Sequence, residues 1–179
     1  MEQRLVWIDL EMTGLDPEKE VILEIASLVT DGDLRIVAEG PNMAVHHPDS
    51  VLEAMEEWSR VHHEASGLTR RARASSQDTR SAEQETLAFL RKHCEPGASP
   101  LCGNSIWQDR RFLVKHMPEL EAFFHYRNID VSTLKELVRM WYPDLPPYPK
   151  EKAHLALNDI LESVNELKHY RQAVFRDAL

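Results

Sequence analysis

The sequence predicts an α/β fold, a mixed five-stranded sheet flanked by helices. Two observations carry the prediction. Three apolar, β-branched runs come first, joined by turn signals alone, which gives an early antiparallel hairpin. From about residue 50 onward, segments of helical period alternate with two further short strands, so the order is β-β-β-α-β-α-β-α.

Residues 5–8 (LVWI) form a continuous apolar run that reads as a central strand, buried on both faces. Residues 21–30 (VILEIASLVT) give a second strand, and Asp31-Gly32 marks the hairpin turn. Residues 34–45 form the third, bent at Gly40-Pro41. Residues 50–66 read as one helix, with Val51, Leu52, Met55, Trp58, Val61 and His62 recurring at threes and fours, and Gly67 as its C-cap. Residues 68–79, rich in arginine, read as a solvated connector. Ser81 and Gln84 make a capping box for a helix reaching about residue 93, with Leu87, Phe89 and Leu90 toward the core. Residues 95–100 form a turn and residues 101–103 a short strand. A helix over 106–117 is stopped by Pro118, and a short helix covers 120–124. Residues 126–130 form the last strand, and Asp130 or Ser132 caps a helix over 133–141. Residues 142–152 hold four prolines and read as a loop. The stripe Leu157, Ile160, Leu161, Val164, Leu167 and Tyr170 makes residues 155–174 a long amphipathic helix.

With 179 residues, 42% hydrophobic and 28% charged, the composition is that of one globular domain spanning 1–179, which excludes collagen-like, low-complexity and wholly disordered chains. No apolar run approaches the roughly 18 residues of a membrane helix. The four-residue run after the N-terminus is too short for a secretory h-region, so no signal peptide is expected. Cys94 and Cys102 form no CxxC pair, and a reducing, cytoplasmic setting is expected. A formal net charge of −9 argues against a long basic track for nucleic acid, though not against a short phosphate ligand.

Some carboxylates sit where a core would not want them. Asp9 and Glu11 follow the most apolar strand at i and i+2, so they share a face, roughly 6.5–7 Å apart. Placed there they repel one another unless a cation joins them. A strand end in solvent is the plainer explanation for the pair alone. Asp109 falls in the first turn of its helix, where the macrodipole alone would favour an acid. His154 and Asp159 are five residues apart, a 140° turn in a regular helix, so His154 is expected on the loop before it. An exposed histidine and a helix-start aspartate would read the same way. His46-His47 and His62-His63 diverge too far to chelate one zinc ion, and no P-loop, GxSxG or GxGxxG occurs.

Together these pieces form a recognisable order. Asp9-x-Glu11, Asp109 in Gly-Asn-Ser-x-x-x-Asp, and His154-x-x-x-x-Asp159 resemble the three motifs of DEDDh 3′→5′ exonucleases. The stretch from Trp7 to Leu15, Ser66-Gly67-Leu68, the stretch from His125 to Ser132, and Trp141-Tyr142-Pro143 resemble the oligoribonuclease branch, from about residue 4 to 175. The resemblance implies an RNase H-like (DnaQ-type exonuclease) fold. It implies two divalent ions, Mg²⁺ or Mn²⁺, held by Asp9, Glu11, Asp109 and Asp159, about 3.5–4 Å apart around the scissile phosphate. It makes His154 the general base, an imidazole suited to accept a proton near neutral pH. It implies very short RNA substrates, chiefly dinucleotides, with Leu15 wedged between the bases and Trp58 stacked on one. Ser105, Arg127 and Ser132 would hold the 5′-phosphate, His63 assisting, and Tyr126 would reach the site from the other subunit of a homodimer. The alternative is a DEDDh exonuclease trimming longer RNA or DNA 3′ ends. A catalytically dead nucleotide binder would be expected to lack one of the five motif residues, and all five are present. Where relatives often carry two acids, this chain has Asn158-Asp159, one negative charge fewer beside the expected metal ligand.

Overall fold

The apolar run at residues 5–8 becomes the middle of a sheet. The structure, a computed structural model, describes residues 3–149 and 156–175. Along the chain come β1 (Arg4–Met12), β2 (Ile22–Asp31), β3 (Ile36–Ala44), α1 (Asp49–Glu53), α2 (Glu57–Ala65), α3 (Leu68–Ala74) and α4 (Thr79–Leu90). Then follow β4 (Leu101–Gly103), α5 (Ile106–His116), α6 (Pro118–Glu121), β5 (Asn128–Asp130), α7 (Val131–Trp141) and α8 (Ala156–Val174). The strand order is β3-β2-β1-β4-β5. The β1–β2 and β2–β3 pairs are antiparallel; β1–β4 and β4–β5 are parallel.

Strand period two divides β1 between two cores. Val6, Ile8 and Leu10 face Leu87, Leu90, Ile106 and Phe112 of α4 and α5. Leu5 and Trp7 face Val131 and Val138 of α7 and Ile160 and Val164 of α8. Trp7 is fully buried, and its indole N–H donates to Thr30 Oγ1 at 3.1 Å. The odd-numbered face continues into Asp9 and Glu11. The two acids therefore emerge on the side of the sheet where α8 packs.

Several sequence expectations are corrected. The single helix over 50–66 is two, broken between Glu53 and Glu57. The arginine-rich connector is largely helix α3, with Leu68 and Ala72 in a small third core beside Leu23, Leu52 and Met55. Gly67, in the left-handed region at φ 74°, ends α2 as expected and also starts α3. The cap of α4 is Asp78, whose carboxylate accepts from Ser81 N–H, rather than Ser81 itself. Asp130, not Ser132, caps α7. In the hairpin, Leu34 rather than Gly32 takes positive φ, and β3 starts at Ile36. The bend at Gly40-Pro41 is an irregularity in the β2–β3 register opposite Ser27.

Gly40 is sterically required. A Cβ there would lie closer than 3.0 Å to Ser27 Oγ and to the Phe89 ring. Gly40→Ala is expected to destabilise by about 1–3 kcal/mol through overpacking. Thermal melting reads this as a drop of roughly 2–4 °C per kcal/mol. An unchanged midpoint would refute the close-approach argument. Among the described residues, no helix is long and apolar enough to cross a membrane.

Candidate active site

Three parallel strands, β1, β4 and β5, end on the same edge of the sheet. In open α/β sheets the crevice beyond the carboxyl ends of the strands is where ligands collect. Asp9 and Glu11 close β1 at this edge, and the first turn of α8 brings Asp159 to them. One carboxylate oxygen from each of the three lies within 4.8 Å of the others. Asp109, in the first turn of α5, reaches the same end of β1, where its Oδ1 accepts the Leu10 backbone N–H at 2.9 Å. Strand β4 stops at Gly103, short of Leu10, so a side chain takes this hydrogen bond in place of a strand.

The electrostatics record the crowding. Burial pushes Asp9 well above the usual carboxylate range, and Asp109, Glu11, Asp159 and Glu24 push it the same way. Glu11 is pushed up to about 8, first by burial, then by Asp159, Glu24 and Asp109, with Arg71 opposing. Asp109 is pushed up to about 7, chiefly by burial, against the lowering effect of the Leu10 N–H. An oxygen-only set that resists ionising in the absence of cations fits hard divalent ions.

On the Glu11 side, a groove of about 420 Å³ is lined by Met12, Leu15, Trp58 and His63. Leu15 and Trp58 are 71% and 65% exposed, unusual for side chains this apolar and available for stacking. Trp58 stacks on His62 with ring centroids 3.9 Å apart. His63 is buried, its Nε2 donating to Met12 O at 2.8 Å, which turns Nδ1 toward Glu11 Oε2 at 3.9 Å. The structure thus groups His63 with Glu11 and Trp58.

Ser105 and Ser132 meet instead at the ends of β4 and β5. The Ser105 N–H donates to Asp130 Oδ1 and Ser132 Oγ at 2.9 and 3.0 Å, and the two hydroxyls lie 3.1 Å apart. Ser105 holds a left-handed conformation (φ 51°, ψ 34°), strained for a residue with a Cβ and characteristic of functional turns. Beside it the 125–128 segment presents Tyr126, 73% exposed, with the Arg127 guanidinium 5.3 Å from its ring centre. His154, expected as the base, lies outside the described residues.

Other residues complete the site that motif spacing did not single out. Glu24, fully buried, stands opposite Glu11 across the β1–β2 ladder and receives a hydrogen bond from Arg71 Nη1. An acid inside the apolar run 21–30 was its sequence signal. Gln108 donates to the Leu15 carbonyl at 2.6 Å, fastening the exposed leucine's loop to α5. Arg110 donates to the carbonyls of His125 and Tyr126 and to Asn128 Oδ1, clamping the segment that carries Arg127. Neither had a signal distinguishable from an ordinary polar helix face.

The exonuclease family (RNase T) matches residues 6–167. A curated oligoribonuclease of Marinobacter nauticus is 64% identical over 97% of this chain and 97% of its own. Those of Alcanivorax borkumensis and Vibrio cholerae are 59% and 57% identical, over 94% and 98% of this chain and 93% and 97% of theirs. The chain belongs to the oligoribonuclease family. Membership makes it a 3′→5′ exoribonuclease and implies the use of divalent metal, in keeping with the acidic cluster. Solved structures share its fold. Exonuclease I of Escherichia coli, zinc-bound in complex with single-stranded DNA, has a TM-score of 0.75 at 12% identity, over 98% of this oligoribonuclease-family chain and 42% of the other. Exonuclease I of Methylocaldum szegediense gives 0.68 at 16%, over 96% and 41%. The chain spans about two fifths of those longer proteins, and at such identities the likeness is one of fold, the DnaQ-like RNase H fold.

Proposed function

We propose that this chain degrades very short 5′-phosphorylated oligoribonucleotides, chiefly dinucleotides, to nucleoside 5′-monophosphates. It works as a cytoplasmic homodimer with one exonuclease domain over residues 1–179. The observation that carries the reading is the spacing along one sheet edge. The acids end β1 and the Ser105–Ser132 pair ends β4 and β5, the next two strands, so one to two strand spacings, roughly 5–10 Å across the sheet, separate them. A group that seats a terminal phosphate at that distance limits the chain that fits between.

Asp9, Glu11, Asp109 and Asp159 hold two divalent ions, Mg²⁺ or Mn²⁺. Bound there, such ions would neutralise charge at the scissile phosphate and lower the pKa of the attacking water. His154 takes the proton from that water. Leu15 separates the two bases and Trp58 stacks on one, a contact of about 1–3 kcal/mol that demands no sequence. Ser105, Ser132 and Arg127 hold the 5′-phosphate, while His63, grouped with Glu11 and Trp58, lines the base groove rather than this seat. Tyr126 closes over the site of the partner protomer, a role that its exposure on its own protomer supports. A substrate with so few phosphates needs no basic track, which agrees with the net charge of −9.

A time course on 5′-phosphorylated RNAs of two to about eight nucleotides, with Mn²⁺ and with chelator, tests the length limit. Consumption of the dinucleotide far ahead of the rest, with metal alone, is the expected result. Equal or faster cutting of longer chains would leave the catalytic centre standing and return the protein to general 3′-end trimming. Arg127→Ala is expected to raise KM for the 5′-phosphorylated dinucleotide about ten- to hundredfold, the worth of one charge-assisted hydrogen bond, with kcat little changed. A fall confined to kcat would contradict its role in the seat.

A further inference from the structure

Behind the two serines lies a hydrogen-bonded chain that the proposed reaction does not use. Ser132 Oγ donates to Asn104 Oδ1 at 3.1 Å. Asn104 Nδ2 donates to Ser163 Oγ at 2.7 Å and to Glu166 Oε2 at 3.2 Å. Ser163 Oγ donates to the carbonyl of Asp159 at 2.8 Å, and Tyr170 donates to Glu166 Oε1 at 2.9 Å. Ser163 and Glu166 are 3% and 1% exposed. The chain runs from the sheet edge into the helix that carries Asp159. A buried acid with partners on both oxygens is a costly element to maintain, and it holds the side chain that joins α8 to the serines.

We propose that Asn104 is a positioning residue for the 5′-phosphate seat, fixing Ser132 and Ser105 against α8. The inference rests on reading those serines as that seat. Proton accounting gives it a direction. A hydroxyl has one hydrogen, and that of Ser132 goes to Asn104. Both hydrogens of Ser105, on N and Oγ, can then point at Ser132 Oγ. The Ser105 hydroxyl is the rotor that turns to an arriving phosphate, while Ser132 stays fixed behind it. Without Asn104, the Ser132 hydroxyl loses its acceptor and can turn, and the strained Ser105 keeps only Asp130 Oδ1 as a fixed partner.

The test compares 5′-phosphorylated with 5′-hydroxyl diribonucleotide in two ways. One is kcat/KM with Mn²⁺. The other is equilibrium binding in chelator, where no hydrolysis occurs. In Asn104→Ala the preference for the 5′-phosphate is expected to fall about tenfold in both, through KM, while 5′-hydroxyl turnover stays near wild type. Asn104→Asp sets a carboxylate against Glu166 and is expected to lose the preference as well. Combined with Glu166→Gln, whose amide donates to the new carboxylate, it is expected to regain it, because that carboxylate still accepts from Ser132. Equal losses on both substrates, or no recovery in the double variant, would overturn the inference and leave Asn104 a structural support of α8. A wild type without preference for the 5′-phosphate would instead remove the seat itself, and the inference with it.

Discussion

Asp159→Ala and Asp9→Ala are each expected to abolish hydrolysis, by about a thousandfold or more, and metal-free Asp9→Ala is expected to melt no lower than wild type. The two halves of this result have one cause. Asp9, Glu11 and Asp159 each set one carboxylate oxygen within 4.8 Å of the others, a spacing that suits a shared cation. Asp9 resists ionisation through burial first, then through Asp109, Glu11, Asp159 and Glu24. Deleting a member of such a set removes repulsion and desolvation, whereas deleting a paired buried charge would strand its partner. Nucleotide release and thermal melting in chelator measure the two halves on one preparation. Undiminished turnover in either variant would defeat the metal assignment. Lost turnover with a large fall in melting temperature would mean that the acids hold the fold together.

What the sequence made legible was whatever obeys a period or a motif. The run 5–8 placed β1 at the centre, and period two then carried Asp9 and Glu11 onto the face of α8. The stripe from Leu157 to Tyr170 marked α8 for the same reason. Helix α2 defeats that reading because its period is inverted by function. Trp58 and Val61 face solvent, while Ser59 and His63 are its buried residues. Helix α3 escapes it because Arg70, Arg71 and Arg73 hide the two apolar positions, Leu68 and Ala72, that bury it beside Thr69. The proposed seat at Ser105 and Ser132 is reached through the family resemblance, but its support is not. Asn104 meets Ser163 and Glu166 across about sixty residues of chain, a contact that only the packing of α8 on β4 creates.

Metal-free protein is expected to lose stability as the pH rises from 6.5 to 8, and Mn²⁺ to cancel that loss. Glu11 titrates at about 8 in the folded chain against 4.5 ordinarily, and Asp109 at about 7 against 3.8. Between those values the folded state holds protons that the unfolded state has released. Stability therefore falls with pH, by about 1.4 kcal/mol per pH unit for each group still protonated. Over this interval Glu11 alone accounts for a loss on the order of 2 kcal/mol, or roughly 4–8 °C in melting temperature. His47, lowered by burial, acts in the opposite sense, but only up to its ordinary 6.5, so the chosen interval avoids it. A bound cation reverses the balance, since it binds the ionised carboxylates and displaces their protons. Its stabilising effect should then grow with pH across the same interval. Glu11→Gln, which cannot ionise, is expected to make the metal-free curve shallower, with Asp9 and Asp109 leaving a residual slope, and to weaken the response to Mn²⁺. The measurement is a set of melting curves at half-unit pH steps, in chelator and in Mn²⁺, for both proteins. A metal-free midpoint that is flat or rises from pH 6.5 to 8 would show that these carboxylates are ionised without a cation, and the crowding argued for Asp9, Glu11 and Asp159 would fail.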